Sequence, residues 1–214
     1  MKNTKTLILA SVTVLLAIFL AASVWYKKSE ADKHAKAVLE KQEQLIRPHS
    51  VTFGPSDAKV TLVEFLDPEC ESCRAFFPFV KQLLDKYKND LRLVIRYAPF
   101  HPNATQAIKI MEAARKQDKY WETMAVLFYY QPSWGDHHNP QPELMWNFLP
   151  EAGVDVEKIR ADYNDPAFDK LIEIDVQDLK ALGVKATPTF FINGKPLEKF
   201  GFEYLEEAIK RELQ

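Results

Sequence analysis

Cys70-Glu71-Ser72-Cys73 holds both cysteines of this 214-residue chain. Two thiols kept at a spacing of three are suited to work as a pair. If the segment forms the first turn of a helix, the Cys70 sulfur faces backbone N–H groups that lack partners. Cys73 then lies one turn on, close enough to close a disulfide. The free N–H groups and the positive end of the helix dipole favour a thiolate, which is the attacking species in disulfide exchange. Other uses of the pair are weaker. A structural zinc site needs about four ligands, and only His137 and His138 stand ready to help, provided the fold brings them near. A purely structural bridge over so short a loop constrains the unfolded chain little, because stabilisation grows with loop length.

The flanking residues position the pair. Val60 to Leu66 (VTLVEFL) is short, β-branched and apolar, which reads as a buried strand. Pro68 stops it, since proline cannot continue a central ladder. Beyond Cys73, apolar residues at Phe76, Phe77, Val80, Leu83, Leu84 and Tyr87 follow a helical period. The dithiol therefore sits at a strand-to-helix junction. Leu91–Tyr97 reads as a second strand, parallel to the first through the helical crossover. Helices are expected over 104–116, 119–130, 142–149, 156–163 and 166–182. Strand 189–192, a turn at Asn193-Gly194 and 196–200 form a hairpin, and 204–213 a closing helix.

Val63 to Cys73 (VEFLDPECESC), with Pro78 and the later Gly183 to Gly194 (GVKATPTFFING), resembles the DsbA-like branch of the thioredoxin superfamily. The resemblance covers about residues 50–214. It implies an α/β fold: a thioredoxin fold with an inserted helical subdomain, here about 102–182, and the residues ahead of it, read below on their own pattern, are expected to add an N-terminal transmembrane helix. It further implies that Pro188 is in the cis form facing the dithiol, that Glu64 is the buried acid before the first cysteine, and that Pro78 kinks the helix. The catalytic set it implies is Cys70, Cys73, Glu64 and Pro188, with Thr187 and Pro188 binding substrate. Neither a metal nor an organic cofactor is implied. Two departures bear on redox poise and direction. Glu-Ser stands between the cysteines where DsbA carries Pro-His, and Thr187 precedes the proline, as in the DsbC-type isomerases. The residues themselves give Glu64 an independent reading. A carboxylate on a buried strand is costly to ionise, so burial should raise its pKa and suit it to exchange a proton with Cys73. The alternative is a polar partner found by strand alternation.

The N-terminus carries a second signal. Leu7 to Tyr26 is 20 residues without a charge, flanked by Lys2 and Lys5 on one side and Lys27-Lys28 on the other. About 20 apolar residues span a bilayer, and a signal peptide is shorter. Residues 1–28 are thus expected to be a membrane anchor, or else a cleaved signal ending near Ala21-Ala22-Ser23. Residues 29–49 read as a charged spacer helix closed by Pro48. Without residues 1–28 the chain has 24 basic and 30 acidic residues, a formal charge of −6, so nothing draws it to nucleic acid. Phe76, Phe77 and Phe79 read as core rather than groove, loop 131–140 as surface without a role, and His101 as ambiguous.

The expected activity is extracytoplasmic thiol–disulfide exchange through Cys70 and Cys73. The domain would be held by residues 7–26 to the inner membrane, single-pass, and face the periplasm or cell exterior. Its partners would be client proteins and a DsbB- or DsbD-like membrane protein. The alternatives are a reductase or isomerase kept reduced by a membrane donor, and a Cu(I)- or peptide-binding module, which soft sulfur ligands permit. Glu71 bears on poise. Its negative charge beside Cys70 disfavours the thiolate relative to a Pro-His site, and a less stabilised thiolate makes the disulfide less oxidising. The reduction potential is expected below that of DsbA, and Glu71→His should raise it. Equilibration against a glutathione series reads both values, and a wild-type potential at or above DsbA's overturns the argument.

Overall fold

The structure, a computed structural model, describes Tyr26 and residues 41–214. The span expected over residues 7–26 lies outside the described residues except for Tyr26, which is helical and exposed. Among the described residues no helix is long and apolar enough to cross a membrane. The remainder of the expected anchor and residues 29–40 of the expected spacer also lie outside them.

Residues 41–45 are helical, and a compact unit begins at Gln44, ahead of the boundary expected at residue 50. Its centre is a five-stranded sheet in the order β1-β3-β2-β4-β5. The strands are β1 (Val51–Phe53), β2 (Val60–Leu66), β3 (Leu91–Tyr97), β4 (Thr189–Ile192) and β5 (Lys195–Pro196). β2 and β3 run parallel, with Glu64 opposite Ile95, while β1 on β3 and β4 on β2 are antiparallel. β1 escapes a reading of period because it is three residues long and buries only Val51. The turn after β4 uses Asn193 and Gly194, both at positive φ, where glycine carries no steric cost. The hairpin is shorter than expected, since β5 ends at Pro196, which has no N–H to extend the ladder.

Strand alternation splits the sheet into two faces. Leu62, Glu64 and Leu66 of β2 point to one face, with Leu93, Ile95 and Tyr97 of β3. That face packs against α1 (Glu71–Lys86), through Cys73, Phe76, Val80 and Leu83. Between β3 and β4 the chain builds the helical insertion. It comprises α2 (Ala104–Arg115), α3 (Tyr120–Tyr129), α4 (Gln131–Trp134), α5 (Met145–Phe148), α6 (Val156–Asp162) and α7 (Pro166–Ala181). The helix expected over 142–149 is instead a short α-turn between two 3₁₀ turns, Pro142–Leu144 and Leu149–Ala152. Each 3₁₀ turn has a proline in its first positions, where the missing N–H costs nothing. The closing helix α8 (Phe202–Leu213) returns to the first face through Leu205 and Ile209.

The opposite face carries Val63, Phe65, Val94 and Phe191 against Leu179 of α7 and Leu45. Arg96, from β3, points into this layer and is fully buried. Its guanidinium donates to Asp175 at 2.7 Å and Asp178 at 2.6 Å, both on α7, and to the carbonyl of Gln44. Arg47 reaches Asp178 at 2.7 Å and His49 reaches Asp175 at 2.6 Å. The arm from Gln44 to Ser50 is therefore joined to sheet and α7 through one ion cluster, and its end is not a free spacer. Burial works against the charged Asp178, but Arg47 and Arg96 still hold its pKa below the usual carboxylate range.

Removing one member of a buried ion cluster leaves the others uncompensated, at about 3–5 kcal/mol. Arg96→Leu should therefore lower the urea unfolding free energy by about that amount. A loss below about 1 kcal/mol would show that the aspartates relax to solvent instead.

Candidate active site

α1 begins at Glu71, so Cys70 is its N-cap residue, with no side-chain cap hydrogen bond. Its carbonyl opens the helix by accepting from Arg74 N–H at 3.1 Å. Its sulfur occupies the place of a capping oxygen, over the N–H groups of the first turn. Cys73 lies one turn on and is fully buried, while Cys70 keeps 7% of its surface exposed. Both thiols are free. The Thr187–Pro188 peptide is cis, and the Thr187 carbonyl accepts from Cys70 Sγ at 3.3 Å.

The two sulfurs are unlike electrostatically. The Cys70 thiol is lowered from its usual 9.0 to about 5. The hydrogen bond from Cys73 contributes most, burial opposes it, and the side chain of Thr187 and the N–H groups of Cys73 and Ser72 add to it. Cys73 is raised, chiefly by burial and then by its bond to Cys70 and the charge of Glu64. Glu64 is 2% exposed on the α1 face of β2, and burial, with the Cys70 charge second, pushes its pKa up to about 8. Its Oε1 has no hydrogen-bond partner among the described residues. It borders a cavity of about 80 Å³ lined also by Phe77, Val80, Ile95, Trp121 and Met124, which reaches the exposed Lys81 and Asp85.

Several residues at the site were not legible in advance. Asp67, fully buried in the turn before α1, accepts from the N–H of Glu69 at 2.8 Å, of Phe100 at 2.8 Å and of His101 at 3.0 Å. It also accepts from His101 Nδ1 at 2.8 Å. Its own N–H points at Cys73 Sγ, 3.5 Å away. Glu69 binds Asn103 through its N–H at 2.6 Å and its side-chain amide at 2.8 Å. The turn carrying the dithiol is thus bolted to the loop after β3. Loop 131–140 is likewise no bare surface. Gln131 donates to the Pro68 carbonyl at 2.8 Å, and Trp134 is fully buried with its indole N–H on Leu127. His137 approaches Glu71 at 3.0 Å and stands edge-on to His101, with ring centroids 5.2 Å apart. The acids flanking the cysteines were the only local signal; their partners come from distant loops. Among the described residues no group of three or more histidines, cysteines and acids could hold a metal ion, and His137 and His138 add no second ligand pair to the cysteines.

On the other side of Cys70 a cavity of about 320 Å³ is lined by Ser72, Thr187, Pro188, Leu197 and Phe200. Phe76, by contrast, is core, its ring 5.4 Å from that of Phe190.

A family model described as thioredoxin matches residues 47–211. Among solved structures, a thioredoxin-like oxidoreductase from Silicibacter pomeroyi DSS-3 is 25% identical with a TM-score of 0.68, over 79% of this chain and 95% of that one. BdbD from Bacillus subtilis, in its oxidised form, is 26% identical with a TM-score of 0.66, over 77% and 92%. The thiol-disulfide exchange protein alpha-DsbA2 from Wolbachia pipientis shares the fold, with a TM-score of 0.70 at 20% identity, over 85% of this chain and 97% of that one. The Na(+)/H(+) antiporter NhaA of Herminiimonas arsenicoxydans is 36% identical over 144 residues, which are 67% of this chain and 22% of the antiporter. The chain spans about a quarter of the length of such curated relatives.

Folded Glu64 keeps its proton to about pH 8, whereas a carboxyl at its usual value loses it near 4.5. Between these values the folded state binds the extra proton, so stability falls as pH rises, at about 1.4 kcal/mol for each pH unit of displacement. Cys70 acts oppositely, since the unfolded state binds the extra proton between about 5 and 9. In the disulfide form neither thiol titrates, and burial, the larger cause for Glu64, persists. Urea unfolding of that form should show stability dropping by several kcal/mol between about pH 5 and 8.5, and Glu64→Gln should remove the drop. Equal pH dependence in both proteins would exclude Glu64 as its source.

Proposed function

The chain belongs to the thioredoxin family over residues 47–211, in the DsbA-like form of its fold, and on that premise we propose that it is a thiol–disulfide oxidoreductase exchanging disulfides with client proteins. The observation that carries this reading is the asymmetry of the pair: a capping thiol held near 5 above a buried one held high. The BdbD and Silicibacter structures, similar over more than nine-tenths of their own lengths, support the same class.

The exchange runs in two steps. The Cys70 thiolate attacks one sulfur of a client disulfide, forming a mixed disulfide and releasing the other client sulfur as a thiolate. Cys73 then passes its proton to Glu64, in the fraction of molecules whose Glu64 is ionised, and attacks Cys70 Sγ. The Cys70–Cys73 disulfide forms and the second client thiolate leaves, so that the client is reduced and the protein oxidised. Run in reverse, the same steps oxidise a client dithiol. Thr187 and Pro188 hold client backbone beside Cys70, and the cavity they line with Ser72 and Phe200 receives it. Residues 1–28 anchor the chain to the inner membrane, the segment up to residue 43 leads away from it, and 44–214 form the domain, facing the periplasm or cell exterior where disulfides persist. A DsbB- or DsbD-like membrane protein resets the pair and so sets its direction. A Cu(I)-binding module would instead use the two sulfurs alike.

Cys73→Ser should accumulate mixed disulfides on Cys70, since the resolving step is lost, and Cys70→Ser should accumulate few. Non-reducing gels of alkylated extracts read the ratio, expected at tenfold or more by analogy with a thousandfold thiolate excess per three pH units. Equal trapping would overturn the assignment of Cys70 as nucleophile, and copper retention without trapping would favour the metal-binding reading.

A further inference from the structure

Nothing in the Cys70-Glu71-Ser72-Cys73 turn carries a positive charge, and Glu71 adds a negative one. Two imidazoles from outside the turn face it. His101, largely buried, donates through Nδ1 to Asp67 at 2.8 Å. A carboxylate only accepts, so the ring proton at Nδ1 is fixed, and protonation adds a charge at Nε2. Asp67 is also the residue that touches both cysteines. Its carbonyl accepts from Cys70 N–H at 3.1 Å and its N–H faces Cys73 Sγ. His101 is thereby bonded to the residue whose backbone meets the Cys70 N–H and the Cys73 sulfur. His137 stands edge-on to it and pairs with Glu71 at 3.0 Å.

We propose that His101, backed by His137, is the counter-cation of the Cys70 thiolate, a positioning residue acting from outside the inter-cysteine turn. The inference rests on the reading of Cys70 as the attacking thiol. The charged and titratable groups facing His101 are Asp67 and Glu69 from the turn before α1, Cys70 at the cap, and His137 from the loop after α4. Those around His137 are Glu71 and Arg74 on α1 and Asp136 and His138 on its own loop. Although burial works against charged His101, the bond and charge of Asp67, with the charges of Cys70 and Glu69, hold its pKa above the usual imidazole value. His137 does a different task. Its Nε2 engages the carboxylate of Glu71 at 3.0 Å, the group that would otherwise repel the thiolate.

Linkage makes this reciprocal. If His101 stabilises the thiolate, the thiolate stabilises the imidazolium equally. His101 should therefore titrate at higher pH in the reduced protein than in the disulfide form, by a factor of three to ten in its protonation constant. His101→Asn keeps a donor in the position of Nδ1 without the charge, and His137→Gln does the same for Nε2. Each should raise the Cys70 pKa, followed by thiolate absorbance, and the pair together should cut the thiolate-to-thiol ratio threefold to tenfold. A tenfold loss corresponds to a reduction potential more negative by about 30 mV. A merely structural histidine would leave all three readings unmoved in the isosteric variants. NMR of the wild-type imidazoles in both redox states decides the matter even where a variant fails to fold. Identical His101 titration in the two states, or an unshifted Cys70 in the double variant, overturns the proposal while leaving the exchange activity standing. A wild-type Cys70 that titrates like an ordinary thiol overturns the exchange reading, and this inference with it.

Discussion

Glu64, Cys70 and Cys73 crowd three acids into a space poor in water, and a low-dielectric interior tolerates one negative charge there far better than two. The fold decides which group carries it. Cys70 wins because it caps α1, where unpaired N–H groups and the Cys73 thiol point at its sulfur. The others yield, with Cys73 and Glu64 both displaced upward, partly by the charge their neighbour has taken. Shift the charge from Cys70 into a disulfide and the reason for the others to stay neutral weakens. The site is thus one coupled acid with three places for its charge.

That coupling needs exact placement, and the surrounding polar contacts supply it. Asp67 satisfies four donors from three residues and in doing so fixes the turn from which α1 springs. Glu69 and Gln131 repeat the pattern on either side of Pro68. A fully satisfied polar network rigidifies its surroundings, whereas one with an orphaned member costs stability. Among the described residues the orphaned buried atoms are Glu64 Oε1, Thr123 Oγ1 and Gln131 Oε1, so the network beside the dithiol is satisfied except at the Gln131 carbonyl oxygen.

Much of this was legible in the sequence where a local pattern encodes it. β2, β3 and β4 appear at their expected bounds because short, mainly apolar and β-branched or aromatic runs between polar and turn residues mark buried strands. The insertion helices match to within a residue or two, except where Pro142 and Pro150 divide one of them. The two cysteines, the acid on β2 and the Thr187-Pro188 dipeptide are each visible in the chain, although the cis state of that peptide came only from the resemblance. Asp67, Glu69, His101, Asn103 and His137 were not visible as a group. They lie on three separate segments, and only the tertiary path of the loops brings them together. Trp134 misled for a related reason: its polar neighbours suggest surface, yet one short helical turn carries it into the core.

The arm from Gln44 to Ser50 also has a mechanical meaning. It is pinned by Arg96 to its Gln44 carbonyl, by Asp178 to Arg47 and by Asp175 to His49. All three pins lie upstream of β1, a strand of three residues that would otherwise peel from β3 one rung at a time. Tension arriving along the chain from before Gln44 is therefore met first by charged groups loaded together, in shear, and shared between the sheet and α7. The load bypasses the weakest strand and enters through Arg96 of β3 and the two aspartates of α7.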